Sequence, residues 1–516
     1  MLKLIFSDMS GQILIILLDF ILKMPSSIGN DDNLNSSYKP RMSPNTPGKL
    51  NYGRTFLIGL AFMTSSIVWA YYNFIMPILL KEFFIDIDAG NFLDLYVGII
   101  MVLDNIIAVL MIPYFGAISD RAKSKLGKRT PFIIIGCISA VISFSILGII
   151  SDSRGIGPFI GLISVIIWFN FSMSFYRSAS ISVLPDLTDP EVRSTGNAII
   201  NTLGAISMVI GLVIPIITGK FYSTQLLYQK DLSRALGFYL VSIATAIALG
   251  IFLLTVKETP TGEKFLKIGE YSIAINPITL DYLGEQEKNI EKKEKPYEIL
   301  KIIFKESEKS TLFMLIVIFT SFLSQNALET YYSLYATSFL GLEEGEASSV
   351  IIIAPIVMII TAIPAGKIAE KFGRKKTIFL GLIGLSICSF FMIYLKNLIL
   401  IRILMGFMGI FFGFVIINSI VIIWQMAPKG KIGAYTGVYY LFSQLSATFS
   451  PLIAGSVFSL YKIITDCDEG FQYVTLFPYI ILWEIVAIFF LNYVKQGESK
   501  KFTTKQINAL RIEHEN

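Results

Sequence analysis

The sequence predicts an all-α polytopic membrane protein with twelve transmembrane helices, arranged as two pseudo-symmetric six-helix bundles. Three observations point there. Hydrophobic residues make up 54% of the chain and charged residues only 16%, with 40 Phe and 24 Tyr, an apolar excess beyond that of ordinary soluble proteins. Apolar runs of about 20 residues, the length that crosses a bilayer as a helix, recur along the chain. Two stretches 250 positions apart share one signature, GAISDRAKSKLGKRTPF from Gly116 to Phe132 and GKIAEKFGRKKTIF from Gly366 to Phe379. Each has a Gly, an acidic residue four positions on, then a Gly followed by basic residues, as duplication of a membrane unit would leave.

The expected span cores, in order, are 56–80, 95–118, 131–150, 158–181, 196–218, 236–256, 311–336, 347–366, 377–395, 398–424, 435–458 and 476–494. They are unbroken rather than alternating, and amides cannot go unpaired in hydrocarbon, so they read as helices and not as strands of a barrel. This organises the chain into a poorly ordered N-terminal segment (1–54), a first bundle (55–256), a cytoplasmic linker (257–310), a second bundle (311–494) and a cytoplasmic tail (495–516). Within 1–54, the run Gln12 to Leu22 is too short to span and is interrupted by Asp19, while Ser26 to Pro47 is rich in Ser, Asn, Pro and Asp. An interfacial segment and a later start at Met42 both fit.

Orientation follows the cations. Arg121, Lys123, Lys125, Lys128 and Arg129 lie between spans two and three, and Lys367, Lys371, Arg374, Lys375 and Lys376 between eight and nine. The segment after span one has Lys81 against Glu82, Asp86, Asp88 and Asp94. The positive-inside bias therefore puts both termini in the cytoplasm of a cell-membrane protein.

The remaining inventory argues against an enzyme. Cys137, Cys388 and Cys467 have no ligand spacing, His514 is the one histidine, and no Gly-rich loop ends in Gly-Lys-Ser/Thr. The expectation is no cofactor, no metal, no nucleic acid and no obligate protein partner. The expected partners are the lipid bilayer and a small solute, moved by an ion gradient or by the solute's own gradient.

Charges inside the spans direct attention to the transport path, because an ionised group at mid-membrane costs roughly 2.5 to 17 kcal/mol. Asp104 in span two, Arg177 in span four and Glu329 in span seven form the expected ion-coupling set. An arginine beside a carboxylate in one conformation and away from it in another would couple proton uptake to motion. Asp104 and Glu329 are rival carriers, and a static ion pair is the competing reading. For the solute, Tyr71, Tyr72, Asn73, Asn105, Asn197, Asn201, Tyr331, Tyr332, Trp424, Gln425 and Tyr439 supply neutral hydrogen-bonding groups among aromatic faces, as a sugar requires. Any one of these tyrosines could equally be packing or an interface anchor.

The repeated loops carry the expected gate: Gly116, Asp120, Arg121, Gly127, Lys128 and Arg129 in the first half, Gly366, Glu370, Gly373 and Arg374 in the second. Glycines there permit close approach, and the acidic residues can pair with cations or face helix N-termini, contacts that would break as the halves rock. Topological anchoring is the plainer alternative.

The blocks from Asp104 to Gly136, Tyr176 to Ala198, Ala327 to Tyr335 and Asn418 to Leu445 resemble the glycoside-pentoside-hexuronide:cation symporters of the major facilitator superfamily. More narrowly they resemble the branch shared with plant sucrose:proton carriers, over roughly residues 55–493. The resemblance implies alternating-access uptake of a sugar or glycoside with H⁺ or Na⁺. The acidic positions of the sodium-using members fall near Ala108, Ile112 and Arg177, so the hard oxygen ligands that sodium needs are missing and H⁺ is implied over Na⁺. It also implies a sugar or proton-coupling role for Arg177, with Glu329 as the acid of helix seven. A facilitator or exporter of another small polar solute, a lysolipid carrier and a non-transporting membrane sensor are the alternatives.

Overall fold

The structure is a computed structural model that describes residues 52–122, 124, 126–187, 193–223, 230–258, 264–268, 271–275, 309–427 and 432–496. The expectations for the segment before residue 52, most of the linker and the end of the tail lie outside the described residues. The first six helices are α1 (Tyr52–Asp86), α2 (Leu93–Arg121), α3 (Thr130–Ile150), α4 (Ile156–Leu187), α5 (Arg193–Ser223) and α6 (Lys230–Thr255). The second six are α7 (Ser310–Leu334), α8 (Glu344–Ile351 and, after Ile352, Ile353–Phe372), α9 (Arg374–Tyr394), α10 (Leu398–Met426), α11 (Ile432–Thr465) and α12 (Leu476–Asn492). Each apolar core read from the sequence falls on one of them, overrunning a helix end by two residues at most. Among the described residues, twelve helices are long and apolar enough to cross a membrane, and the chain is a multi-pass membrane protein.

Local chemistry sets several boundaries. Pro131 sits in the first turn of α3, where its missing N–H costs nothing. The Asn397 side chain caps α10 by accepting from the amides of Ile399 and Leu400. At 35 residues, α1 is about 52 Å long, more than the ~30 Å hydrocarbon thickness, so part of it emerges into the polar zone. The end of α7 widens into a π-turn at Tyr335–Phe339. The linker holds one feature that the sequence reading did not assign, an antiparallel hairpin of β1 (Lys264–Ile268) and β2 (Tyr271–Ile275), with Lys264 opposite Ile275. Its signal was present in two short β-prone runs separated by Gly269-Glu270.

The duplication is visible in packing. In the first half α3 packs on α4 and α6, and in the second α9 packs on α10 and α12. The helices α7, α11 and α12 also pack together, as do α8 and α10. By contacts, the described residues of 1–71, 106–214 and 227–289 form one compact unit, and those of 72–105, 215–226 and 290–516 form another. The second unit therefore contains the end of α1 and the start of α2 along with helices α7 to α12.

Gly127 and Gly373, equivalent in the two basic loops, both have φ +99°, a region closed to most side chains. This shared geometry gives a direct test. Gly373→Ala should lower stability by about 1–3 kcal/mol, read as a lower melting temperature in detergent. Gly366→Ala, where an added Cβ meets nothing within 4 Å, should leave it unchanged.

Candidate functional site

In the first unit, described residues of the basic loop form a polar cluster with the ends of α4 and α6. Arg129 is 5% exposed. Its Nε donates to Asp186 at 2.8 Å, and its Nη1 donates to Ser119. Lys128 adds an ion pair to Asp186 at 3.3 Å. Glu258, just past α6, accepts from the amides of Arg129 (2.8 Å) and Thr130 (2.9 Å) and from the Thr130 hydroxyl (3.1 Å), so a carboxyl caps α3. Burial pushes the Glu258 carboxyl above its ordinary range, against the donors from Thr130 and Arg129, and Asp186 reinforces the rise. Gly127, where a Cβ would meet Glu258, lets the loop close over that cap.

The second repeat solves the same junction differently. Lys375, in the first turn of α9, donates to the carbonyls of Asn492 and Val494 at 3.2 and 2.8 Å, so a cation meets the C-terminal end of α12. Glu370 and Lys367 are exposed. Asp120 and Arg121 lie at the end of α2, with side chains outside the described set.

The second unit carries most of the polar interior. Glu329 on α7 is half-buried and accepts from Gln325 Nε2 at 3.0 Å. Pro451 interrupts α11 and supplies no N–H to the carbonyl of Ala447 four residues back. That carbonyl is taken up by Asn105 Nδ2 at 3.3 Å, while Gln444 donates to Asn105 Oδ1. Trp424 Nε1 donates to Thr436 at 2.7 Å, joining α10 to α11. Tyr439 packs edge-on to Phe322 and Tyr440. Asn73 and Asp104 are half-buried, Gln425 is exposed, and Tyr72 and Tyr332 are buried.

Two of the expected solute-binding tyrosines are committed to main chain. In the first unit Tyr71 donates to the Arg234 carbonyl at 3.0 Å and packs on Phe144 and Phe238. In the second, Tyr331 donates to the carbonyls of Asp94 (3.0 Å) and Pro451 (2.8 Å). Arg177 is half-buried on α4 in the first unit, beside the fully buried Tyr176. Two turns away, Asn170 is 1% exposed with neither side-chain amide atom hydrogen-bonded. Asn197 and Asn201 lie on α5, with side chains outside the described set.

The second unit also holds a latch whose residues are not among the predicted site residues. Asp94, 2% exposed, accepts from Tyr473 Oη and from Gln472 Nε2 at 3.4 Å. Its neighbour Leu95 donates its amide to Ser459 at 3.2 Å. Lys81 pairs with Glu469 at 2.7 Å, donates to Ser338 in the π-turn at 3.1 Å and lies 4.8 Å from the centroid of the Tyr473 ring. Glu469 also binds Lys462. The start of α2 and α11 approach closely because Gly98 faces Pro451 and Gly455 faces Asp94, where a Cβ would strike the carbonyls. Its signal in the sequence is Lys81 alone among acidic neighbours. Burial alone would raise the Glu469 carboxyl, but Lys462 and Lys81 outweigh it and hold it below its ordinary range.

Among the described residues, no group of three or more His, Cys, Asp or Glu is arranged to hold a metal. The family profile described as Major Facilitator Superfamily matches residues 58–466. A lactose permease of Lactobacillus helveticus is 27% identical over 176 residues, covering 32% of this chain and 27% of the permease, so the match spans about a quarter of that curated relative. A point mutant of the nucleoside transporter NupG superposes with TM-score 0.59 at 14% identity over 86% of this chain and 100% of the other. A bacterial homolog of the human lysosomal transporter Spinster, inward-facing and unoccupied, gives TM-score 0.59 at 12% identity over 86% and 95% of the two chains. At such identities these structures show a shared fold.

Two outcomes follow from the geometry. Asn105→Leu should cost about 1–2 kcal/mol by leaving the Ala447 carbonyl unmatched. The penalty should shrink in a Pro451→Ala background, where the substituted residue restores the helical donor, and a double-mutant cycle on thermal unfolding reads the coupling. Glu469 has a depressed carboxyl, so its contribution to the latch is present above the ordinary carboxylate range and lost as pH falls through the lowered value. Glu469→Gln should erase that acid-side loss and cost about 1 kcal/mol or less at neutral pH, since the group is half exposed.

Proposed function

We propose, for a chain that belongs to the Major Facilitator Superfamily, a secondary active transporter that carries a sugar or glycoside with protons by alternating access. The observation that carries this reading is the interior of the second unit. There a carboxyl on α7, Glu329, is bonded to Gln325, the Asn105 amide of α2 meets the proline-freed carbonyl of α11, and the Tyr439 phenol lies beside Phe322. Neutral donors and acceptors beside rings suit hydroxyl-rich solutes, and a carboxyl with no metal-holding group of acidic residues around it among the described residues suits a proton better than a hydrated cation. The partial likeness to a lactose permease supports the sugar class. The subfamily we favour is the glycoside-pentoside-hexuronide:cation symporters, in the sucrose:proton branch.

In this reading the basic loops face the cytoplasm of a cell-membrane protein, and the Asp94 latch closes the opposite side. Asp104, Arg177 and Glu329 are the ion-coupling residues. Asn73, Asn105, Asn197, Asn201, Tyr72, Tyr332, Trp424, Gln425 and Tyr439 contact the solute, while Tyr71 and Tyr331 hold helices together through their hydroxyls. The first-repeat cluster around Arg129 and the loop at Gly373 and Arg374 gate the cytoplasmic side.

Proteoliposome uptake of radiolabelled glucosides decides between drivers. An inward proton gradient should produce accumulation and a sodium gradient alone should not; accumulation driven by sodium alone would overturn the proton assignment. Arg177→Gln and Glu329→Gln should each cut accumulation at least about tenfold while leaving the protein folded by size-exclusion profile. Downhill movement without accumulation under either gradient would favour a facilitator.

A further inference from the structure

Glu484 has no part in the coupling set above. It lies on α12, eight residues past Leu476 and so about 12 Å into the helix, and is 1% exposed. Its Oε2 has no hydrogen-bond partner. The carboxyl's neighbour is Ser324 of α7, whose hydroxyl is also turned to the Thr320 carbonyl at 3.3 Å.

Among the described residues, the elements packed against α12 hold polar groups, and their cations lie at helix ends. The segments Ser310–Leu334 and Leu476–Asn492 contain no Lys or Arg at all. On α9 the cations sit in the first turn, where Lys375 is engaged at the end of α12. On α11 the basic residue is Lys462 in the last turn, bound to Glu469. Besides these cations, the titratable groups on the elements packed against α12 are Glu329, Tyr331 and Tyr332 on α7, Tyr335 in its π-turn, Cys388 and Tyr394 on α9, Tyr435, Tyr439, Tyr440 and Tyr461 on α11, and Tyr473 in the turn before α12. On α12 itself is Tyr479. None is a cation at neutral pH. Nearby, Tyr479 packs on Trp483, and the Ser321 hydroxyl of α7 is buried without a hydrogen-bond partner. A carboxylate without a cation is poorly tolerated here, whereas a carboxylic acid can donate to a hydroxyl and remain neutral.

The covering helix is also the one that the latch holds. Val317, Ser321, Ser324, Leu328 and Tyr331 follow helical spacing down one buried face of α7. Tyr331 at the end of that face is fixed to the Asp94 and Pro451 carbonyls. Release of the latch would move the face that covers Glu484.

We propose that Glu484 is a proton-binding site of the second six-helix repeat, neutral while the Asp94 latch is closed and deprotonated when α7 shifts and admits water. The proton passes to that water, and no other bond changes. The coupling role rests on the proton-driven reading above, whereas the existence of the site does not.

The test uses the full-length protein in liposomes, without solute, followed by infrared difference spectroscopy across a pH titration. A protonated-carboxyl C=O band should disappear as pH rises, be missing in Glu484→Gln and persist in Glu329→Gln. On the unmutated chain, dicyclohexylcarbodiimide should modify Glu484 by peptide mass, less as pH rises. Absence of modification at any pH, or an unchanged titrating band in Glu484→Gln, overturns the site. For coupling, Glu484→Gln should lose accumulation at least about tenfold and its counterflow should lose pH dependence; wild-type accumulation would make the residue structural. A titrating Glu484 in a chain that moves no glucoside would leave the site standing and remove the sugar assignment.

Discussion

Polar backbone and side-chain groups removed from water must find partners inside the protein, at several kcal/mol for each failure, and this requirement governs the molecule at every scale. It makes the spans helical. Where a helix is broken, it also dictates what stands beside the break. Pro451 leaves the Ala447 carbonyl without its helical donor, and Asn105 supplies one from α2. The Pro451 carbonyl and that of Asp94 share the Tyr331 hydroxyl. Asparagine and tyrosine thus supply donors to carbonyls around the proline.

The same requirement treats the two ends of the helices differently. At the basic loops, charge is neutralised locally: Arg129 and Lys128 converge on Asp186, and Glu258 caps α3. At the other end, in the second unit, Lys81 and Asp94 from the first half of the sequence meet Glu469 and Tyr473 from the second. Hydrogen bonds that join segments almost 380 positions apart must break if those segments separate. A cluster within one repeat need not.

Duplication has preserved backbone more faithfully than side-chain roles. Gly127 and Gly373 keep one φ, yet the helix beyond is capped by the Glu258 carboxylate in one repeat, while in the other Lys375 reaches the end of α12. Tyr71 and Tyr331 occupy repeated Tyr-Tyr pairs, and their hydroxyls reach α6 in one case and α2 with α11 in the other. The repeats share geometry because glycine conformations and helix packing tolerate little change; hydrogen-bond partners can be exchanged one at a time.

Hydrophobic run length by itself determined the twelve helices, because the bilayer's thickness is written directly into the number of consecutive apolar residues. The duplicated Gly-acid-Gly-basic loops likewise disclosed two repeats, and the intramembrane charges Asp104, Arg177 and Glu329 stood out as costly. Pairing was not legible. Asp94 looked like one more acidic residue of a polar loop, and Tyr331 like a cavity aromatic. Which carbonyl a tyrosine reaches, or whether a carboxyl meets a lysine, depends on helices brought together from hundreds of residues away. Only the tertiary structure decided those contacts, since a hydrogen bond needs its partners within about 3 Å and no spacing along a single chain segment encodes that distance.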